Sequence, residues 1–148
     1  MMFIRSLTAL AFVALAAVGA LGVIAQDALS PEEAVAMRQD LMKSNGAVMQ
    51  GGAMDKTGDE AIAAAQTLVD NFTKLPDLFP EGSAIEGSRA LPAIWEDWEA
   101  FTAIIDTARG GAEAALAGAQ AGDMEAYKAG LQTVGGACGQ CHQQFRAS

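Results

Sequence analysis

Beyond residue 30, apolar residues return every three or four positions, and no strand-length run alternates apolar with polar. Four helices are predicted, and no strand. The first opens at Ser30-Pro31-Glu32-Glu33, where Ser30 suits an N-cap, Pro31 the first helical position, and Glu33 completes a capping box. Ala34, Val35, Leu41, Met42, Val48 and Met49 carry its apolar spacing to about Gln50, and Gly51-Gly52 ends it. The second opens at Thr57-Gly58-Asp59-Glu60, again at capping-box spacing. Ile62, Ala65, Leu68, Val69, Phe72 and Leu75 form one stripe until Pro76 stops it. Prolines and glycines mark 76–90 as a long loop. The third helix starts near Leu91-Pro92 and carries Ile94, Trp95, Trp98, Phe101, Ile105 and Ala108. Gly110-Gly111 is expected to loosen its middle, at about 1 kcal/mol each. Ala115, Leu116 and Ala119 then resume the pattern, and Gly122-Asp123 reads as a break and an N-cap. The fourth runs from Met124 to about Arg146, with Tyr127, Leu131, Val134, Cys138, Cys141 and Phe145 on one side. Four helices on mostly short turns imply an all-α, antiparallel four-helix bundle.

The first 25 residues stand outside that pattern. Met1 to Arg5 gives a positive start, an apolar run follows from Leu7 to about Ala20, and Val23-Ile24-Ala25 offers a cleavage site. This is the pattern of a secretory signal. A retained membrane anchor is the competing reading, and the run is short for it. Cleavage would leave residues 26–148 as one domain with one core. It removes a single charge, Arg5, and leaves eight basic against 18 acidic residues, a net charge of −10. Such a surface argues against nucleic acid and anionic membrane. It suits a protein that meets basic docking surfaces on redox partners, and equally one that is simply kept soluble. Aromatic residues make up only 6% of the chain. The aliphatic core is therefore thin for four helices, and a buried cofactor would add apolar surface to it.

The chain has two cysteines and one histidine, all inside Cys138-Gly139-Gln140-Cys141-His142. Cys-x-x-Cys-His is the attachment signal for haem c. On a helix, positions i and i+3 share a face. Two thiols there reach the two vinyl groups on one porphyrin edge as thioethers, and the next imidazole, His142, points at the iron. Structural zinc wants four ligands, and only three such residues exist. A thioredoxin-like pair wants a βαβ setting, which is missing. A disulfide across so small a loop gains little. Haem attachment also agrees with export, because in bacteria it takes place outside the cytoplasm.

The motif lies seven residues from the C-terminus, on the last predicted helix, whereas most small cytochromes c carry it near the N-terminus. With Arg38-Gln39 to Met42, Leu75-Pro76-Asp77-Leu78-Phe79-Pro80, Ile94-Trp95, and Gly135-Gly136-Ala137-Cys138 through Phe145-Arg146, the chain resembles the class II c-type cytochromes, cytochrome c′ and its low-spin relatives. The resemblance covers essentially all of 26–148. It implies one covalent haem c with His142 as axial ligand, and it sets Arg38 and Gln39 against the haem and its propionates. Arg146 falls on the proximal side, at i+4 from His142, where it serves equally well as a cation at a helix C-terminus. Arg38 alone could equally be a solvated arginine. Leu91 and Pro92 match positions that brush the haem, although Pro92 also has a local reason as a helix starter. Met42, four residues after Arg38, matches the distal position and is the candidate sixth ligand. Trp95, Trp98 and Phe101 read as core more readily than as an electron relay.

Two functions share these features. One is a periplasmic electron carrier with a six-coordinate haem. The other is a five-coordinate cytochrome c′ that binds nitric oxide or carbon monoxide. An enzyme is not expected, since no second histidine or Ser/His/Asp set is present. A homodimer through the first two helices is an expectation of the resemblance alone. N-terminal sequencing of the exported protein should find a chain starting at or near Gln26, and a product retaining residues 1–20 would mean an anchored cytochrome.

Overall fold

The structure is a computed structural model that describes residues 29–148; the predicted signal segment, 1–25, lies outside the described residues. Helices α1 (Pro31–Gln50), α2 (Gly58–Lys74), α4 (Trp98–Ala121) and α5 (Met124–Phe145) form the bundle, and α3 (Ala93–Glu96) is a single turn leading into α4. Short 3-10 turns at Ala53–Asp55 and Leu75–Leu78 follow α1 and α2. No strand is present among the described residues, apart from an isolated bridge between Ala90 and Arg146. No helix among them is long and apolar enough to cross a membrane.

The ends follow local chemistry in most places. Ser30 Oγ accepts from the Glu33 N–H at 3.2 Å while the Ser30 N–H donates to Glu33 Oε2 at 3.0 Å, closing the expected capping box. Gly52 takes φ 78°, which turns the chain out of α1. The box expected at Thr57 does not form: Thr57 is the N-cap residue of α2, but its side chain caps nothing, and Gly58 opens the helix at φ 54°. The Asp123 carboxylate caps α5 by accepting from the N–H groups of Glu125 and Ala126.

Two expectations for the third helix are corrected. It is not continuous from Leu91, because Asp97 (φ −134°, ψ 63°) breaks it and its Oδ1 caps α4 by accepting from the Ala100 N–H at 3.1 Å. The break rotates the aromatic stripe apart. Ile94 and Phe101 are buried, Trp95 donates from Nε1 to the Phe79 carbonyl at 3.0 Å, and Trp98 is 39% exposed. Trp98 is thus not a core residue.

Nor does Gly110-Gly111 loosen α4, which runs through both glycines. A Cβ on Gly130 would sit 2.5 Å from the Gly111 carbonyl oxygen and the Ala115 nitrogen, and one on Gly118 would sit 2.6 Å from the Tyr127 nitrogen. The two backbones touch there, so α4 and α5 pack closer than side chains allow. Tyr127, fully buried, donates from its hydroxyl to the Ala53 carbonyl at 2.8 Å and ties α5 to the turn after α1.

The inward row of α1 runs Ala34, Val35, Arg38, Leu41 and Asn45, so two of its five buried positions are polar. Arg38 is 4% exposed. It donates to the Leu78 carbonyl, to Ser83 Oγ and carbonyl, and to Ser88 Oγ, at 2.6–3.1 Å, and its guanidinium lies 4.6 Å over the Phe79 ring. Burial lowers its pKa, but a guanidinium stays charged. The cost of burying that charge is met by carbonyls, hydroxyls and a ring face, and the loop 79–90 is wrapped around it.

The glycine contact gives a paired prediction. Gly130→Ala should cost about 3 kcal/mol, the upper end of ordinary overpacking. Gly110→Ala, whose Cβ meets nothing within 4 Å, should gain up to about 1 kcal/mol. Chemical denaturation of the cofactor-loaded variants measures both.

Candidate functional site

One cleft of about 1130 Å³ opens between α1, α4 and α5. Ligand pockets commonly span about 300–1,000 Å³, so this one has room for a large group. Phe72, Leu75 and Phe79, with Ile94, Phe101, Ile104, Ile105 and Ala108, line it with apolar surface. Phe79 and Phe145 both pack edge-on against Phe101, at ring-centroid distances of 4.8 and 5.3 Å.

Cys138 and Cys141 lie a helical turn apart on α5, half-buried against the core, and both line the cleft. They form no disulfide with each other. Burial raises the Cys138 thiol and pushes Cys141 up to about 11, with the charge of Cys138 adding to the second shift. Buried thiols of raised pKa are poor candidates for thiolate redox cycling. No group of three or more His, Cys, Asp or Glu residues that could hold a metal ion occurs among the described residues. His142 follows at the same face. Its imidazole is lowered from its ordinary pKa by burial first, then by the cations Arg146 and Arg89. A lowered pKa favours the neutral imidazole, which is the form that binds a metal.

Met42 lines the cleft from α1, half-buried, and so do Arg38 and Gln39. Gln39 donates to the Gly87 carbonyl at 3.0 Å. Arg146 lines the mouth just past the end of α5. Leu91 and Pro92 do not line the cleft: the Leu91 N–H donates to the Phe145 carbonyl at 3.0 Å, and Pro92 is exposed at the start of α3. Arg89 and Ala90 take that place. Their position depends on the pairing of 89–91 with 145–147, a contact between distant segments that no local pattern announces.

Asn45, Lys43 and Met49 also line the cleft, although the sequence marked none of them as a site residue. Asn45 Oδ1 accepts from Asn71 Nδ2 at 2.8 Å, while its own Nδ2 is buried without a partner. Among the described residues it is the only buried side-chain donor left so.

The residues present fit a haem. A wide apolar slot is edged by two thiols at i and i+3, a neutral imidazole follows them, and a thioether stands on another wall. Cationic side chains at the mouth can hold carboxylates.

Residues 33–146 match the family model described as Cytochrome C′. Cytochrome c-556 of Agrobacterium tumefaciens (strain II Chrys) is 37% identical over 118 residues, covering 76% of this chain and 95% of that protein. The crystal structure of cytochrome c′ from Thermochromatium tepidum superposes with a TM-score of 0.73 at 26% identity, covering 82% of this chain and 99% of that one. A nitric oxide complex of a mutant cytochrome c prime from Alcaligenes xylosoxidans gives 0.69 at 27% identity, over 80% of this chain and 98% of its own. The apolar slot, the thiol pair on the last helix and the match over most of the chain agree: the protein belongs to the class II c-type cytochromes, the cytochrome c′ family, and binds one covalently attached haem c.

Proposed function

We propose that this chain is an exported, periplasmic one-electron carrier, with the haem joined to Cys138 and Cys141, His142 as one axial ligand and Met42 as the other. The signal-like first 25 residues and the need to attach haem outside the cytoplasm support the location. When bound, the haem supplies a one-electron couple. The chain's part is to hold it by two bonds on one edge and to keep water from its faces with the α4 aliphatic and aromatic wall. The protein also fixes the imidazole of His142 by its place on α5 and offers the Met42 sulfur from α1.

The observation that carries the electron-carrier reading is Met42 itself, a soft thioether lining the same cleft as His142 in a chain with no second histidine. His/Met ligation raises the potential of a cytochrome c and favours the ferrous state. Two fixed ligands also keep rearrangement on electron transfer small. The second reading is a five-coordinate site open to diatomic gases. It draws on the Alcaligenes xylosoxidans relative with nitric oxide bound. Methionine also fills apolar gaps readily, so under that reading Met42 is a wall beside an open iron.

Covalent attachment predicts that haem stays with the polypeptide through denaturing electrophoresis and acid–acetone extraction. Cys138→Ala and Cys141→Ala should each remove one thioether and sharply lower the yield of holoprotein. Clean extraction from the unmodified chain would overturn the attachment.

Met42 ligation predicts a low-spin absorption spectrum with a weak far-red sulfur-to-iron band, and no carbon monoxide uptake by the reduced protein. Met42→Ala should lose the band and take up carbon monoxide. A high-spin ferric spectrum and ready carbon monoxide binding in the unmodified protein would favour the gas-binding reading instead.

A further inference from the structure

Two large apolar side chains stand exposed among the described residues, Met37 on α1 and Trp98 at the start of α4. Single exposed apolar residues are ordinary on a protein surface. Trp98 differs in what lies beneath it. Its ring centroid is 5.5 Å from that of Phe101, which is buried, lines the haem cleft and meets Phe79 and Phe145 edge-on. Trp98 itself does not line the cleft, so a haem seated there leaves it open. In an unbroken helix Trp98 would share a face with Ile94 and Phe101. The break at Asp97 turns it outward instead, so the indole meets solvent on one side and stands a single ring from the cofactor slot on the other.

The residues next to it are acidic. Glu96, Asp97 and Glu99 flank Trp98 in the chain, and all three are exposed. Asp97 is occupied as the cap of α4, but Glu96 and Glu99 enter no ion pair among the described residues. An acid in a first turn suits the helix dipole, which gives Glu99 a local reason. It gives none for an exposed indole between the carboxylates.

We propose that Trp98, with Glu96 and Glu99 beside it, anchors the face on which a basic redox protein docks. The inference rests on the electron-carrier reading and gives it a place on the molecule. Binding energy at interfaces concentrates in a few aromatic anchors ringed by weaker polar contacts, and Trp is enriched among them. Lysines or arginines on the partner meet the two carboxylates, steer the approach and fix its orientation. Electron tunnelling weakens steeply with distance, and a partner seated on Trp98 is separated from the slot by Trp98 and Phe101. One electron passes from the ferrous protein to the ferric partner, with no bond made or broken.

The test uses the intact holoprotein and, as partner, a high-potential, lysine-rich class I cytochrome c. With both proteins ferric, NMR titration should shift the amides of residues 96–102 and the Trp98 indole N–H, and leave the exposed amides of α2 in place. The rate of electron transfer from the reduced holoprotein to the ferric partner, at low salt, should fall about tenfold or more in Trp98→Ala. Trp98→Phe should keep most of it. Glu99→Lys should lower the rate severalfold and flatten its dependence on salt. Glu113→Lys, the same exposed charge change about 21 Å further along α4, should do much less. Absorption spectra and reduction potentials of the variants should match the unmodified protein, which assigns the loss to docking. Shifts that avoid 96–102, a Trp98→Ala rate equal to the unmodified one, or equal effects of the two lysine variants would overturn the proposal. Any of these with a low-spin spectrum removes this face and leaves the electron-carrier reading standing. A high-spin ferric spectrum removes that reading, and the proposal with it.

Discussion

The backbone contact between α4 and α5 is the constraint on which the rest of the molecule depends. Gly111, Gly118 and Gly130 remove the side chains that would hold the two helices apart, and the peptide groups meet directly. Dispersion contacts at that range are individually small, yet they form a dense, stiff pair. Cys138, Cys141 and His142 ride on one member of that pair, and the aliphatic wall from Phe101 to Ala108 rides on the other. The thiols, the imidazole and the wall are therefore fixed relative to one another before α1 contributes anything.

On the far side of the cleft the protein does the reverse. There α1 turns a charged residue inward, and the segment after α2 folds over it. Arg38 replaces the apolar contact that a leucine would make with four hydrogen bonds and a ring face. Hydrogen bonds to a charged group are each stronger than neutral ones, and losing a partner leaves the charge buried and unsatisfied. The loop 79–90 has almost no regular structure of its own, so Arg38 gives it shape. That loop in turn brings Phe79 against the cleft and Arg89 to its mouth.

Much of this was legible in the sequence, and the reasons for the gaps are physical. The Cys138–His142 cluster declares its chemistry because spacing on one helix needs no knowledge of the fold. Helix starts at Ser30 and Asp123 were readable because capping is local, and Thr57 failed because a capping spacing does not oblige the hydroxyl to turn inward. Gly110-Gly111 read as a weakness by helix propensity, yet the cost falls on an intact helix and Gly111 lies where α5 comes closest. Trp98 was placed in the core because the apolar period was carried across Asp97, where the backbone breaks. Neither Arg89 nor Asn45 was marked as a site residue. One depends on a bridge between segments 56 residues apart, the other on facing Asn71 across two helices.

The central claim is that Met42 and His142 together complete the coordination of a haem fixed on α5. Proton NMR of the fully reduced holoprotein tests it most directly. A low-spin ferrous centre is diamagnetic, and a methionine on its axis lies in the porphyrin ring current. The account predicts one methyl resonance shifted far upfield of every other methyl, assigned to Met42 and absent in Met42→Ala. Broad, paramagnetically shifted signals with no such methyl would contradict it.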